Sequence, residues 1–158
     1  MTTRQTRVLG IDFGTRRIGA AVSDPRRKIA TPLEVYERKD LAQDARHYCA
    51  LVAEHDVDLI VVGLPIHTSG QEGTSAKQAR AWGGWLSRET VLPVVYHDER
   101  FSTVEAEERL LAAGMKRKGR KERRDMLAAQ ILLQNYLDAG CPFDEPGSTP
   151  LADASESL

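Results

Sequence analysis

Short apolar runs and helical spacings alternate along this chain. Arg7-Val-Leu-Gly-Ile-Asp12 is apolar and closes on a carboxylate, and Ile18-Gly-Ala-Ala-Val-Ser23 is apolar again. The stretch Phe13–Arg17 between them contains Gly14, so the pattern predicts two strands joined by a tight turn. Asp24-Pro25 breaks the run, and Ala30–Tyr36 predicts a third strand whose Pro32 marks an edge or a bulge. Asp40 is an N-cap with Gln43 three residues on, as in a capping box, and Leu41, Ala45, Tyr48, Cys49 and Val52 recur at helical spacing. Val57–Gly63 has the continuous apolar character of a strand covered on both faces. Thr74–Arg88 predicts a helix turning Ala76, Ala79, Trp82 and Trp85 or Leu86 inward, and Val91–His97 a buried strand. Ser102 with Glu105 starts a helix that Gly114 ends. A basic loop precedes the last helix, Arg124–Asp138, which stops at Gly140.

Hairpins followed by strand–helix alternation predict an α/β fold: a central mixed five-stranded sheet with helices on both faces. The 158 residues make one ordinary domain, and 41% hydrophobic with 28% charged residues excludes a fibrous or wholly disordered chain. That domain is expected over residues 1–140. Residues 141–158 carry Pro, Gly, Ser, four acids and no base, and are expected to form an acidic, disordered C-terminal tail. The net charge of −1 becomes +3 without those four acids, so the body is mildly basic. Met1–Arg7 has no apolar signal region, and the longest apolar stretch, around Leu59–Val62, is too short to span a bilayer. The 2 Cys form no CxxC pair. A cytoplasmic protein without a membrane partner is the expectation.

Three carboxylates stand out by position. Asp12 ends the first strand, Glu99 follows the last strand, and Asp125 opens the last helix. Ligands of open α/β sheets gather beyond the carboxyl ends of the strands. If the first and last strands run side by side, Asp12 and Glu99 converge there, and a helix across that edge could bring Asp125 alongside. Such a trio repels itself unless a cation sits within it, and hard oxygen donors call for Mg²⁺ or Mn²⁺. Two such ions could clamp the attacking water and the leaving oxygen of a phosphodiester. The plainer reading is that strand-end Asp residues are turn formers and caps. Glu105 is explained by capping and Asp24 by its turn. His97 is as well explained by packing as by ligation, and Cys49 by the core.

Charge patterning adds a second constellation. Lys116, Arg117, Lys118, Arg120, Lys121, Arg123 and Arg124 lead into Asp125, while Arg16, Arg17, Arg26, Arg27 and Lys28 crowd an earlier segment. Such runs are often solvated loops, but beside a metal site they would hold phosphates, as would Arg100 next to Glu99. Aromatic residues are 6%, so backbone recognition is expected ahead of base stacking. The loop from Gly63 to Gly73 could cradle an anion or be a plain βα connection.

Taken together, four blocks resemble the YqgF/RuvX family. They are Gly10–Thr15 with Ile18–Val22, Val62–Pro65 with Gly70–Gly73, Asp98–Thr103 with Glu105-Ala106, and Asp125–Ala129 with Leu132–Leu137. Members of that family are described as Holliday junction resolvases and as nucleases of the small-subunit ribosomal RNA precursor. The resemblance implies a ribonuclease H-like fold, a divalent-metal nuclease, and catalytic acids at Asp12, Glu99 and Asp125. It departs at Glu122-Arg-Arg124, where the family has apolar residues, and in the loop Ile66–Ser69. The implied partner is RNA, single-stranded or structured, or branched DNA, and the protein is a monomer or homodimer. Two other readings compete. Asp12-Phe-Gly-Thr15 also resembles the phosphate loop of actin-like ATP phosphotransferases, although these close two such domains around the nucleotide. A non-catalytic RNA-binding assembly factor could keep the fold without the chemistry.

Overall fold

A computed structural model describes residues 5–65, 73–98 and 117–142, with side chains in the last segment described from residue 126. The elements are β1 (Arg7–Asp12), β2 (Arg17–Ser23), β3 (Ala30–Glu37), α1 (Leu41–Glu54), β4 (Val57–Leu64), α2 (Thr74–Thr90), β5 (Val94–Asp98) and α3 (Arg117–Asp138). The helix expected over Ser102–Ala113 and the tail beyond residue 142 lie outside the described residues.

The strands form one five-stranded mixed sheet in the order β3-β2-β1-β4-β5. β1 pairs antiparallel with β2 and parallel with β4, and β5 joins β4 in parallel. Strand alternation sends side chains to two covered faces. On one, Leu9, Ile11, Ile60, Val62 and Val94 pack with Tyr48, Leu51 and Val52 of α1 and Ala76, Ala79, Trp82 and Leu86 of α2. On the other, Val8, Ala21, Leu59, Val61 and Val95 meet Ala129, Leu133, Tyr136 and Leu137 of α3. Each large side chain fully buried this way contributes about 1.5–3 kcal/mol. The mixed sheet covered by helices on both faces is the architecture the sequence predicts.

Local chemistry explains the boundaries. Asp40 Oδ1 accepts from Gln43 N at 2.8 Å, and the Gln43 amide donates to Asp40 Oδ2 at 2.9 Å, so α1 starts where the capping pattern puts it. β3 is an outer strand, and its register with β2 slips between Ala20 and Ala21, opposite Glu34 and Pro32, so Pro32 marks both an edge and a bulge. Asp24 Oδ1 accepts from Lys28 N and Ile29 N, which identifies Asp24 as the turn former expected of it. These two backbone bonds, Ile29 foremost, hold its carboxyl below the usual range.

Four details differ from the sequence reading. α3 begins at Arg117 rather than Arg124, because Lys, Arg and Glu are good helix formers even without an apolar stripe. β5 begins at Val94, since Val91 closes α2 in the left-handed region (φ 57°) and Pro93 follows. On α1 the buried residues are Asp44, Tyr48, Leu51 and Val52, while Leu41 is 58% exposed. Cys49 is half-buried, its Sγ donating to Glu89 O, so it is not a core residue.

Candidate active site at the carboxyl edge of the sheet

Asp12 is the last residue of the central strand β1 and is half-buried. Its partner on β2 is Gly19. On the other side, Ile11 is level with Val62 and Val62 with Tyr96, so the next row runs Asp12, Gly63, His97. Alternation puts this row on the face that carries α3, the face of Val8, Val61 and Val95. The positions flanking Asp12 on both neighbouring strands are therefore glycines. The His97 ring packs edge-on against Tyr136 of α3, with centroids 5.8 Å apart at 78°, in keeping with a packing role.

The turn after Asp12 is tightly held. A Cβ on Gly14 would stand 2.2 Å from Arg17 O, so only glycine fits. Arg38, just past β3, donates from Nη1 to Thr15 O (3.2 Å) and Gly14 O (3.5 Å), and its backbone N donates to Arg16 O (2.8 Å). Its guanidinium lies 5.2 Å from the centroid of the Phe13 ring. Nothing in local sequence points to Arg38, because its targets lie more than 20 residues earlier. Behind it, the buried Asp44 accepts from Tyr36 Oη (2.7 Å) and Lys39 N (2.9 Å). Burial, reinforced by this carboxylate, pushes the Tyr36 hydroxyl up to about 12.

α3 is fastened over the Asp12 face. A Cβ on Gly10 would come within 2.7 Å of Leu133 Cβ, so glycine lets helix and strand touch. Gln134 accepts from Ala30 N (2.9 Å) and donates to Lys28 O (2.8 Å), and Gln130 donates to Ala30 O (3.1 Å). These clamps join segments 100 to 106 residues apart, which sequence spacing does not reveal.

The other expected site residues are distributed as follows. β4 stands between β1 and β5, so the first and last strands are not side by side. Their carboxyl ends nevertheless share one edge, about 10 Å apart across two strand spacings. Glu99, Arg100 and Lys116 lie outside the described residues. Asp125 belongs to α3 one turn before Ala129, and Arg117, Lys118, Arg120, Lys121 and Arg124 share that helix, all with side chains outside the described set. Arg16 is exposed in the turn beside Asp12, and Arg17 begins β2 opposite Glu37. The earlier basic cluster divides in two. Arg26, Arg27 and Lys28 sit at the far end of β2, roughly 20 Å along the strand from Arg17. There Arg27 pairs with Asp58 at 2.5 Å.

Among the described residues, no three His, Cys, Asp or Glu gather as a metal site. Asp12 itself fits a hard cation: it offers oxygen donors at the strand edge where ligands collect, with glycine on both flanks.

Comparison with known proteins gives the same architecture. The RuvC protein of Thermus thermophilus, solved in complex with a Holliday junction substrate, superposes with a TM-score of 0.52 at 18% identity, covering 85% of this chain and 96% of that one. The fowlpox virus resolvase, solved with Holliday junction DNA, gives 0.52 at 9% identity, covering 87% and 100%. These likenesses establish a ribonuclease H-like fold. Sequence relatives are nearer. A Ruegeria protein carrying the name "Putative pre-16S rRNA nuclease" is 43% identical over 135 residues, 85% of this chain and 86% of that protein. A protein of the same name from Koribacter versatilis is 41% identical over 144 residues, 90% and 94% of the two chains. The family model described as "RuvX: Holliday junction resolvase" matches residues 6–139, nearly the whole body built around Asp12, and this chain belongs to the RuvX family.

Proposed function

We propose that this protein is a divalent-metal-dependent nuclease that hydrolyses phosphodiesters of the small-subunit ribosomal RNA precursor in the cytoplasm. The observation that carries the reading is Asp12. It is a carboxylate at the carboxyl end of the central strand, flanked by Gly19 and Gly63, in a chain over 40% identical to relatives named for that activity. No described helix is long and apolar enough to cross a membrane.

In this reading Asp12, Glu99 and Asp125 are the metal ligands. Asp12 would anchor the cations from the centre of the sheet, Glu99 would complete one shell, and Asp125 would bind or orient at the second. Bound Mg²⁺ or Mn²⁺ would activate the attacking water and neutralise charge on the phosphoryl oxygens. Arg16, Arg17, Arg100, Lys116, Arg117, Lys118, Arg120, Lys121 and Arg124 hold the flanking phosphates and set the register of the strand without reading its sequence. Residues 1–140 form the catalytic domain, and 141–158 an acidic appendage.

The test offers the purified protein single-stranded RNA, single-stranded DNA and a four-way junction with Mg²⁺ or Mn²⁺. Cleavage of RNA is expected, and Asp12→Asn should lower it at least a hundredfold, on the order of the loss from removing one electrostatic catalytic group. Unchanged cleavage by Asp12→Asn refutes the assignment. A second reading, junction resolution, draws on the family's description and the RuvC-like fold. It requires symmetric cuts of the junction, ordinarily by a two-fold dimer, visible in solution mass with the junction present.

A further inference from the structure

Asp12 and Phe13 are consecutive, yet alternation sends them to opposite faces of the sheet edge. Phe13 packs on the α1–α2 side, its ring 5.2 Å from that of Trp82, and Trp85 follows at 6.0 Å from Trp82. These three rings, with Thr15, Arg38 and Leu41, line a groove of about 390 Å³. That lies within the usual range of small-ligand sites. Core packing alone leaves two features unexplained. Leu41 is 58% exposed at the mouth, and Trp85 is only half-buried.

The charge of the rim identifies the occupant. Arg38 lies in the groove wall, and Arg16 and Lys39 are exposed beside it. Of the nearby acids, Asp40 caps α1 through Gln43, and the buried Asp44 accepts from Tyr36 Oη and Lys39 N and stands 4.0 Å from Arg38 Nε, which leaves Arg16 and Lys39 as the exposed cations of the rim. Aromatic surface under a rim carrying cations suits a ligand that is flat on one part and anionic on another. Phe13 follows Asp12 directly, so the groove and the Asp12 carboxylate lie on either side of one sheet edge, and a strand turning over that edge would present a phosphate to one and a base to the other.

We infer that this groove takes one unpaired nucleobase of the substrate strand, next to the phosphate held at Asp12. The inference rests on the nuclease reading and narrows its substrate class to strands with an unpaired nucleotide at the cut, since a base stacked within a duplex has no free face to offer. Average composition argues against base stacking, but folding gathers Phe13 and both tryptophans of the chain in one place.

Because both tryptophans line the groove, intrinsic fluorescence reports on it directly. Full-length Asp12→Asn protein is titrated with a short single-stranded oligoribonucleotide, the same strand with abasic residues, and the strand paired with its complement. The intact single strand should change tryptophan emission and bind roughly tenfold tighter than the abasic strand or the duplex. Trp85→Ala should remove that advantage, leaving affinity for the abasic strand unchanged, and Trp85→Phe should restore most of it. Equal affinity for intact and abasic strands, or an equal loss on both with Trp85→Ala, overturns the inference. Wild-type cleavage is scored separately. Cleavage without base-dependent binding refutes the groove and spares the nuclease reading, whereas base-dependent binding without cleavage does the reverse.

Discussion

Consider the replacement of Gly10 by alanine. The new Cβ would lie 2.7 Å from Leu133 Cβ, 3.3 Å from its Cγ and 3.4 Å from its Cδ1. Non-bonded carbons rest about 3.5–4 Å apart, so β1 and α3 must separate by about 0.8 Å. A change of rotamer gives no relief, because the nearest atom is the Cβ and moves only with the helix backbone. Leu133 is fully buried, and the bonds from Gln130 and Gln134 to Ala30 and Lys28 resist the lift. Overpacking of this kind costs about 1–3 kcal/mol, from which the stiffer unfolded chain returns about 0.4–1 kcal/mol. The expected net loss is about 1–2 kcal/mol, or about 2–8 °C in Tm for a chain this size. Gly84→Ala is the matched control: it sits in α2, its Cβ would meet only Arg88 Nη1 at 3.6 Å, and alanine there should stabilise by about 0.5–1 kcal/mol. Circular dichroism during heating and urea titration measures both. A Gly10→Ala protein that melts at or above the wild-type temperature would refute the claim that this contact admits no methyl group.

The remaining predictions concern polar groups around the same elements. Tyr48 Oη is buried with no hydrogen-bond partner among the described residues, so Tyr48→Phe should raise stability by about 1 kcal/mol; a lower urea midpoint would show that the hydroxyl has a partner. The raised Tyr36 hydroxyl disfavours tyrosinate in the fold, so its contribution is intact below pH 10 and lost as pH climbs from 10 towards 12. Urea midpoints across that interval should fall, and less steeply in Tyr36→Phe; parallel slopes would place the alkaline transition elsewhere. Gln134→Ala removes the acceptor of Ala30 N and the donor to Lys28 O, and should cost about 2 kcal/mol, read by the same titration.

How far residues reveal structure here depends on the reach of the interaction. Apolar runs state their own strands, and β1 ends at Asp12 because a charge ends the run. Pro32 announces its edge position, and the Asp40–Gln43 pair its helix start, because a missing donor and a cap act within a few residues. The start of α3 escapes the pattern, since Arg117–Arg124 has helix propensity without an apolar stripe. The place of β4 between β1 and β5 depends on pairing between distant segments, as do the clamps of Arg38, Gln130 and Gln134. The position of Asp12 at the carboxyl end of β1 was legible. The glycines that flank it acquire meaning only through strand register, which no spacing along the chain encodes.

Pro32 has a consequence beyond the single chain. A β-sheet margin is a template on which a second chain can lay another strand, and long regular margins invite fibrous stacking. Along β3 a neighbour would meet a residue with no N–H beside a slipped register that twists the border out of line. Two copies meeting along this border would lose a regular ladder at Pro32. That same interruption makes the β3 margin a poor template for an added strand.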